Sequence, residues 1–121
     1  MTATTSELDP RWQAAVTEFN AGHYHEAHEL WESLWDDADG EAKVLCRALL
    51  TIAAGYAKLD VGEVNGARKL LERGLASLQQ GGPGGAALGA LLASVAEGLS
   101  RLRQVPFGER AGLDSVPRPR L

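Results

Sequence analysis

Residues 19–35, FNAGHYHEAHELWESLW, place a helix break directly before a strongly patterned helix. The break is Asn-Ala-Gly at residues 20–22, because asparagine and glycine tolerate the left-handed backbone conformation that ends helices. Beyond the break, apolar residues recur at intervals of three or four, at Tyr24, Ala27, Trp31, Leu34 and Trp35. This spacing predicts an amphipathic helix with one buried face, running from Tyr24 to about Asp36.

The break and the helix return together 40 residues later, in residues 59–75, LDVGEVNGARKLLERGL. Gly62 then corresponds to Gly22, and Ala67 corresponds to Ala27. This Gly-x-apolar-x-x-Ala spacing resembles the hairpin of tetratricopeptide repeats, in which a small alanine lets two helices approach closely. Two hairpins are fewer than a stable solenoid needs, so the repeat predicts a compact bundle.

The remaining elements follow from capping residues and periodicity. Asp9 and Pro10 offer an N-cap and a proline at the first helical position, which predicts a helix over residues 10–20. Apolar spacing predicts further helices over residues 41–59, 63–79 and 86–103, and four glycines with one proline predict a loop over residues 80–85. The predicted fold is all-α: a compact bundle of about five helices, built from two repeated αα-hairpins plus a C-terminal helix. It forms a single domain over residues 9–104, with flexible or irregular tails over residues 1–8 and 105–121.

Composition narrows the classes of function. The chain has 121 residues, of which 45% are apolar and 23% charged, as expected of a folded globular protein. Its net charge of -4 argues against nucleic-acid binding. No run of about 18 apolar residues and no basic-then-apolar start are present, which predicts neither a membrane span nor a signal peptide, and hence a cytoplasmic location. Cys46 is the only cysteine, so it excludes an intrachain disulfide and is interpreted as a small buried hydrophobe.

One stretch is chemically dense, since residues 23–37 hold all three histidines. Side chains three, four or seven residues apart share a helix face, which groups His25, His28, Glu29, Glu32 and Asp36. Three interpretations stay open: a structural hydrogen-bond network at the edge of the core, a metal or small-molecule site, and plain surface charge. Trp31 and Trp35 are interpreted as core anchors.

Imidazole and carboxylate groups at these spacings can bind a divalent metal ion such as zinc, iron or manganese. The candidate ligands are His28, Glu32 and His25, and Glu29 would be the general base of a metal-dependent hydrolase. The stretch lacks the His-Glu-x-x-His pattern of metalloproteases, and further ligands would have to be carboxylates because no other histidine exists. Enzyme status therefore stays open, with binding favoured over catalysis.

Polar residues within the apolar faces of later helices mark partner positions for this stretch. Thr51 and Lys58 lie on the predicted third helix and Arg68 on the fourth, where the long side chains either line a groove or extend to water. The full set, called the binding cluster, is His28, Glu29, Glu32, Trp35, Thr51, Lys58 and Arg68. The favoured function is that of a small cytoplasmic helical protein whose binding cluster lies in an inter-helix groove and binds a small ligand or a protein.

A third function is self-association into a structural homo-oligomer. Small residues on the predicted fifth helix would allow close helix contact, at Gly89, Ala90, Ala93, Ala96 and Gly98. The sequence itself names neither a substrate nor a partner.

Residues 19–35 also resemble the signature of the bacterial and archaeal domain-of-unknown-function family three-hundred-and-nine, written roughly Asn-x-Gly-x-aromatic-x-Glu-Ala-His-Glu-x-x-Glu-x-x-Trp. Residues 48–71 resemble the family's later Gly-x-x-x-Gly-Ala-Arg region, so the resemblance covers about residues 12–79. It implies a compact all-helical domain, and some members are labelled metal-dependent hydrolases. The positions of interest that it implies are His28, Glu29, Glu32, Trp35 and Arg68.

This chain departs from the family at two positions of the predicted third helix. Thr51 and Lys58 stand where members commonly have glutamine and histidine. The departure removes one imidazole that could bind a metal, so the resemblance gives the hydrolase interpretation less support here than in other members.

Overall fold

The computed structural model describes residues 9–80, 85–104, 119 and 121. It contains five helices within these ranges: α1 Pro10–Asn20, α2 Tyr24–Asp37, α3 Gly40–Asp60, α4 Val64–Gln80 and α5 Gly85–Gln104. These ranges contain no strand, so the predicted all-α class is confirmed. Every predicted helix end lies within one residue of the observed end. Residues 81–84 of the predicted loop, residues 1–8, and residues 105–118 and 120 lie outside the described residues, so the domain limits stay a prediction.

The 40-residue repeat is present in the backbone of both hairpin turns. Gly22 and Gly62 adopt φ angles of 84° and 80°, a conformation that favours glycine. Equivalent main-chain hydrogen bonds close the two turns: the N–H of His23 donates to the carbonyl of Glu18 at 2.8 Å, and that of Glu63 donates to Lys58 at 2.9 Å. This bond and the glycine form the Schellman ending of a helix. The two hairpins, α1–α2 and α3–α4, therefore share one design.

α3 is the central helix, packed between α2 and α4. Among the residues whose burial the structure describes, it contributes the largest set of buried ones: Cys46, Ala48, Leu49, Thr51, Ile52, Ala53, Gly55, Tyr56 and Leu59. Burial of Cys46 agrees with its interpretation as a small hydrophobe. Of the described glycines, Gly74 on α4 is the most tightly enclosed: an added Cβ would lie 2.5 Å from the Cγ1 atom of Ile52 on α3. Glycine at this position therefore leaves space that the Ile52 side chain occupies and that any larger residue would obstruct.

An aromatic cluster joins α1, α2 and α3. Phe19 lies at its centre, with ring centroids 5.2 Å from Tyr24, 5.7 Å from Trp31 and 6.2 Å from Tyr56, all in edge-to-face arrangements. Such pairs stabilise a fold beyond the burial of their area. Trp31 is completely buried, and the half-buried Trp35 packs against the same core, so both tryptophans act as core anchors.

A polar network fixes the outer end of the first hairpin. Asp9 is the N-cap of α1 and accepts a hydrogen bond from the N–H of Arg11 at 2.9 Å. The Arg11 guanidinium also bonds Asp9 and reaches across to the carbonyl and hydroxyl oxygens of Ser33 and to Asp37 near the end of α2. Hydrogen bonds from the Arg11 side chain and backbone lower the pKa of Asp9 to about 2, and the same carboxylates raise the pKa of Arg11. This network holds the two helices of the hairpin together where they are furthest from their turn.

Beyond α5, Leu121 contacts the first hairpin. Pro119 is buried, and Leu121 is half-buried and packs against the hydrophobic core. The backbone N–H of Leu121 donates a hydrogen bond of 2.7 Å to Oδ1 of Asn20, the last residue of α1. Within the described residues, none of the helices combines the length and the hydropathy that crossing a membrane requires.

Candidate functional site

His28 lies at the edge of the core between α2 and α3. Its Nδ1 atom is 3.0 Å from the carbonyl oxygen of Leu50 on α3, and its side chain is 25% exposed. A carbonyl oxygen can only accept a hydrogen bond, so Nδ1 must carry the hydrogen. In the neutral imidazole this leaves the lone pair on Nε2. The backbone of α3 therefore fixes both the orientation of the ring and its tautomer.

The other ring nitrogen of His28 faces Glu32, one helical turn further along α2. Nε2 lies 3.9 Å from Oε2 of Glu32, which is beyond hydrogen-bond length. The Glu32 side chain is 58% exposed. Next to Leu50, the buried Thr51 donates its hydroxyl hydrogen to the carbonyl of Arg47 within α3, at 2.8 Å. When the ring is neutral, His28 and Glu32 present two hydrogen-bond acceptors side by side at the protein surface.

Trp35 lies towards the α2–α3 connection and is covered by a lysine that the sequence did not single out. The Nζ atom of Lys43 is 4.3 Å from the centroid of a Trp35 ring and donates a hydrogen bond of 3.0 Å to the Trp35 carbonyl. An ammonium above an indole face is a favourable cation–π contact. The sequence indicates this pair only weakly: a tryptophan lies near the end of one predicted helix, and a lysine lies near the start of the next. Many helical proteins share that pattern without such a contact.

His28, Glu32 and the Leu50 carbonyl together form a surface between α2 and α3, called the His28 edge. Glu29 lies away from it. It faces His25 across one turn of α2, with Oε1 of Glu29 3.5 Å from Nε2 of His25, and both side chains are more than half exposed, at 64% and 74%. The structure therefore contains two His–Glu pairs on α2: His28 with Glu32 at the edge, and His25 with Glu29 on the open face.

Lys58 and Arg68 pair with carboxylates elsewhere in the second hairpin. Lys58 lies 3.0 Å from Glu63 across the α3–α4 turn, and Arg68 lies 3.1 Å from Glu72 on α4. Lys58 is eight residues beyond Leu50 on α3, which corresponds to about 12 Å along a helix. Of the seven residues in the binding cluster, the structure places His28 beside Glu32 and against the backbone carbonyl of Leu50, the residue before Thr51. A common site for all seven stays a prediction.

The three residues predicted as metal ligands do not converge. Among the residues that the structure describes, no group of three His, Cys, Asp or Glu side chains could hold a metal ion. Catalytic zinc sites use three protein ligands and an open position. His28 and Glu32 could supply two ligands at most, and His25 is engaged with Glu29 on another part of the helix surface. The residues present therefore do not fit a three-ligand centre, and metal binding stays a prediction.

The exposed surface of α2 is acidic. α2 carries five exposed carboxylates, at Glu26, Glu29, Glu32, Asp36 and Asp37. Beside it, a shallow groove of about 750 Å³ between α1 and α2 is bordered by Thr17, Leu30 and three glutamates, Glu18, Glu26 and Glu29. Neighbouring charges of one sign raise the local concentration of ligands of the opposite sign. This side of the first hairpin therefore favours basic groups.

The fifth helix gives only partial information on self-association. Ala93 and Ala96 are exposed and Gly98 is buried, whereas the surroundings of Gly89 and Ala90 lie outside the described residues. Self-association through this helix stays a prediction.

One ion pair connects α5 to the second hairpin. Arg103 on α5 lies 2.8 Å from Glu72 on α4. Its hydrogen bond, together with the charges of Arg68 and Arg103, lowers the pKa of Glu72. The last helix is therefore joined to α4 by charge as well as by packing.

Residues 12–70 match a family model described as Domain of unknown function (DUF309). The matched region contains nearly all of α1, the whole of α2 and α3, and the beginning of α4, so it includes every residue of the binding cluster. This match confirms the resemblance that the sequence signature indicates, although the resemblance predicted from the sequence ran on to residue 79. No curated protein and no solved structure matches the chain.

Proposed function

For a chain whose residues 12–70 resemble a domain of unknown function, we propose a binding module rather than an enzyme, with its contact surface at the His28 edge between α2 and α3. The hydrogen bond from Nδ1 of His28 to Leu50 supports this proposal. It fixes the ring with one nitrogen satisfied and with Nε2 directed towards an exposed carboxylate instead of towards the core. A histidine that only completed the core would gain more by placing both nitrogens against protein groups.

The chemistry of the edge indicates what it would bind. Nε2 of the neutral imidazole and the carboxylate of Glu32 both accept hydrogen bonds, and they lie 3.9 Å apart. An ammonium or guanidinium group carries several donors and can satisfy both acceptors at once. The carboxylates along α2 add a negative field. The proposed ligand is therefore a small amine or a basic side chain of a partner protein, and the cytoplasm is the proposed location.

Metal-dependent hydrolysis has less support than binding, for a geometric reason. A metal-dependent hydrolase requires a third ligand close to His28 and Glu32, and the described part of the chain supplies no such group. Glu29, which would be the general base, faces His25 instead.

Two substitutions of His28 separate binding from architecture. His28→Asn keeps an N–H donor close to the position of Nδ1 and removes Nε2, whereas His28→Leu removes both. We expect the asparagine variant to unfold at the same temperature as the parent, and the leucine variant to lose about 1 kcal/mol with the hydrogen bond. N-acetyl-arginine amide and N-acetyl-lysine amide are suitable probes, titrated while the NMR signal of His28 Cε1–H is followed.

Binding at the edge predicts that both probes shift the His28 signal in the parent. It also predicts that the shifts of neighbouring α2 and α3 amides disappear in His28→Asn. Glu63→Gln is the matched control, since it removes a carboxylate at the far end of α3 and should leave the shifts unchanged. Probe-induced shifts that are the same in His28→Asn, or that depend on Glu63 instead, would exclude the His28 edge as the binding surface.

A further inference from the structure

The first hairpin leaves open a surface that is covered in the second. In the second hairpin, three residues on one face of α3 are half-buried: Leu50, Ala54 and Ala57. The carbonyl of Leu50 contacts His28, so this face of α3 lies against α2. In the first hairpin, the residues 40 positions earlier are all exposed: Pro10, Ala14 and Thr17. The repeat therefore marks this side of α1 as the uncovered counterpart of a surface that receives a helix.

The groove between α1 and α2 lies on this open side, and its lining suits a helix. Ala14 and Thr17 from α1 and Leu30 from α2 border it, and most of its lining is apolar. Ala14 and Leu30 recur 40 residues later as Ala54 and Leu70. A third helix can lay its side chains into the groove between two packed helices. The expected occupant is therefore a helix with one apolar face.

The charge of the groove is the reverse of that in the second hairpin. Three glutamates border the groove: Glu18, Glu26 and Glu29. Among the residues that the structure describes, none of the three forms an ion pair with a lysine or arginine, and the nearest cationic groups are exposed histidines 3.4 Å from Glu18 and 3.5 Å from Glu29. Two of the three equivalent positions in the second hairpin are lysines, Lys58 and Lys69. The groove therefore keeps the apolar residues of the repeat and presents carboxylates without matching cations.

This acidity is confined to one part of the chain. Residues 9–39 hold eight carboxylates and one arginine, whereas residues 40–104 hold five carboxylates and eight lysines or arginines. The single arginine, Arg11, already pairs with two aspartates. Carboxylates one turn apart on a helix, such as Glu26 and Glu29, repel each other and destabilise the helix. A cationic occupant of the groove would relieve this repulsion, so charge complementarity indicates a basic helix.

We propose that the groove between α1 and α2 is a docking site for a basic amphipathic helix of a partner protein. The partner's apolar side chains contact Ala14 and Leu30, and its lysines or arginines pair with the three glutamates. The partner helix covers the first hairpin as α2 covers the second. The groove lies on the α1 side of α2 and His28 on the α3 side, so this inference does not depend on the His28 edge.

The test uses the full chain and a synthetic helix. The probe is a fluorescently labelled peptide with blocked ends and about five helical turns, with leucine and alanine on one face and lysine on the other. A control peptide has the same composition, with its leucines and lysines distributed around the helix. Fluorescence anisotropy at physiological salt measures the affinity, and NMR shifts of backbone amides locate the contact.

Glu26→Lys is the decisive variant, and Glu41→Lys is its matched control. Both glutamates are exposed in the first turn of a helix, so both substitutions change the net charge and the helix terminus equally. The start of α3 lies beside Trp35, about 14 Å along α2 from Glu26 and beyond the range of a screened charge. We expect Glu26→Lys to weaken the amphipathic peptide about fivefold, because an attraction becomes a repulsion. Glu41→Lys and His28→Asn should leave its affinity unchanged.

Four results would overturn the proposal. Equal binding of the control peptide would reduce the contact to unspecific charge attraction, and equal weakening by Glu41→Lys would do the same. Amide shifts centred on His28 and Leu50 instead of on Ala14 and Leu30 would assign the peptide to the other side of α2. A parent that elutes as a dimer, beside a monomeric Glu26→Lys variant, would give the groove to a second copy of the chain. The control peptide keeps the test valid even if Glu26→Lys fails to fold, since it leaves the protein unchanged.

Discussion

Gly74→Ala is the substitution that most directly tests how closely α3 and α4 pack. A Cβ at position 74 would lie 2.5 Å from Cγ1 of Ile52, 3.3 Å from its backbone nitrogen and 3.4 Å from the carbonyl oxygen of Ala48. Carbon atoms prefer separations of about 3.5–4.0 Å, so the gap must open by at least about 1 Å. Ile52 is completely buried, and two of the three neighbouring atoms belong to the backbone. The contact therefore cannot be relieved by rotating one exposed side chain.

The expected magnitude follows from two opposing effects. Forcing an extra methyl group into a packed core costs about 1–3 kcal/mol. Replacing glycine by alanine inside a helix returns up to about 1 kcal/mol. Gly66→Ala is the matched control, because its Cβ would meet Lys58 at 3.7 Å, an ordinary contact. The difference between the two variants cancels most of the helix-propensity gain and leaves the packing cost of about 1–3 kcal/mol.

The assay is the unfolding of both variants by heat and by urea. For a domain of this size, each kcal/mol lowers the melting temperature by about 4 °C, so Gly74→Ala should melt about 4–12 °C below Gly66→Ala. The free energy of unfolding should fall with urea concentration at the same slope in both variants, because unfolding exposes the same surface in each. A Gly74→Ala variant as stable as Gly66→Ala would refute the close packing of α3 against α4.

Three further predictions concern charge and metal. Hydrogen bonds from Arg11 lower the pKa of Asp9 from 3.8 to about 2, so the stability it contributes is present above pH 3.8 and is lost as the pH falls towards 2. Asp9→Asn keeps an N-cap but not the charge, and should therefore flatten the fall of the melting temperature between about pH 4 and pH 2. The hydrogen bond from Arg103 lowers the pKa of Glu72 below 4.5. The stability that Glu72 contributes is therefore also present at neutral pH and lost in acid. We expect Glu72→Gln to cost less than about 1 kcal/mol at pH 7 in urea unfolding, since the pair is partly exposed, and to converge with the parent in acid. Zinc or manganese added to chelator-treated protein should leave the melting temperature unchanged, because the described residues gather no three ligands. A rise of several degrees that disappears in His28→Asn would contradict this expectation.

The fold could be predicted because its determinants are local. Asp9 before Pro10, glycine at positions 22 and 62, and apolar residues every three or four positions each specify a helix end or a helix face without reference to the rest of the chain. The repeat then indicated which helices form hairpins. The tight packing at Gly74 could not be predicted from the sequence. A glycine inside a helix is found both where another helix packs closely and where nothing lies against it.

The candidate site was only partly predictable, because its decisive contacts involve the backbone. The sequence identified His28 and Glu32 as neighbours on one helix face, and the structure places them together. The partner of Nδ1 is the carbonyl oxygen of Leu50, and the partner of Asn20 is the N–H of Leu121. Every residue except proline carries the same two backbone groups, so side-chain patterns cannot reveal which of them is used. Pairs between long charged side chains, such as Lys58 with Glu63, were missed for a similar reason, since many partners lie within reach.

The direction of the His28 ring also bears on position 58, where this chain has lysine and members of the family it resembles commonly have histidine. α2 and α3 run antiparallel: His28 contacts Leu50, and Trp35 contacts Lys43, so advancing along α2 means moving back along α3. Nε2 points towards Glu32, which lies on the Trp35 side, whereas position 58 lies about 12 Å along α3 on the other side. A histidine at position 58 would therefore not converge with Nε2 and Glu32 on one ion. Lys58→His, which places an imidazole where members of the family that the chain resembles commonly have one, is accordingly expected to create no zinc-dependent rise in melting temperature. A rise that also required His28 would show that the two helices can bring these positions together, and it would return the metal-dependent interpretation to this chain.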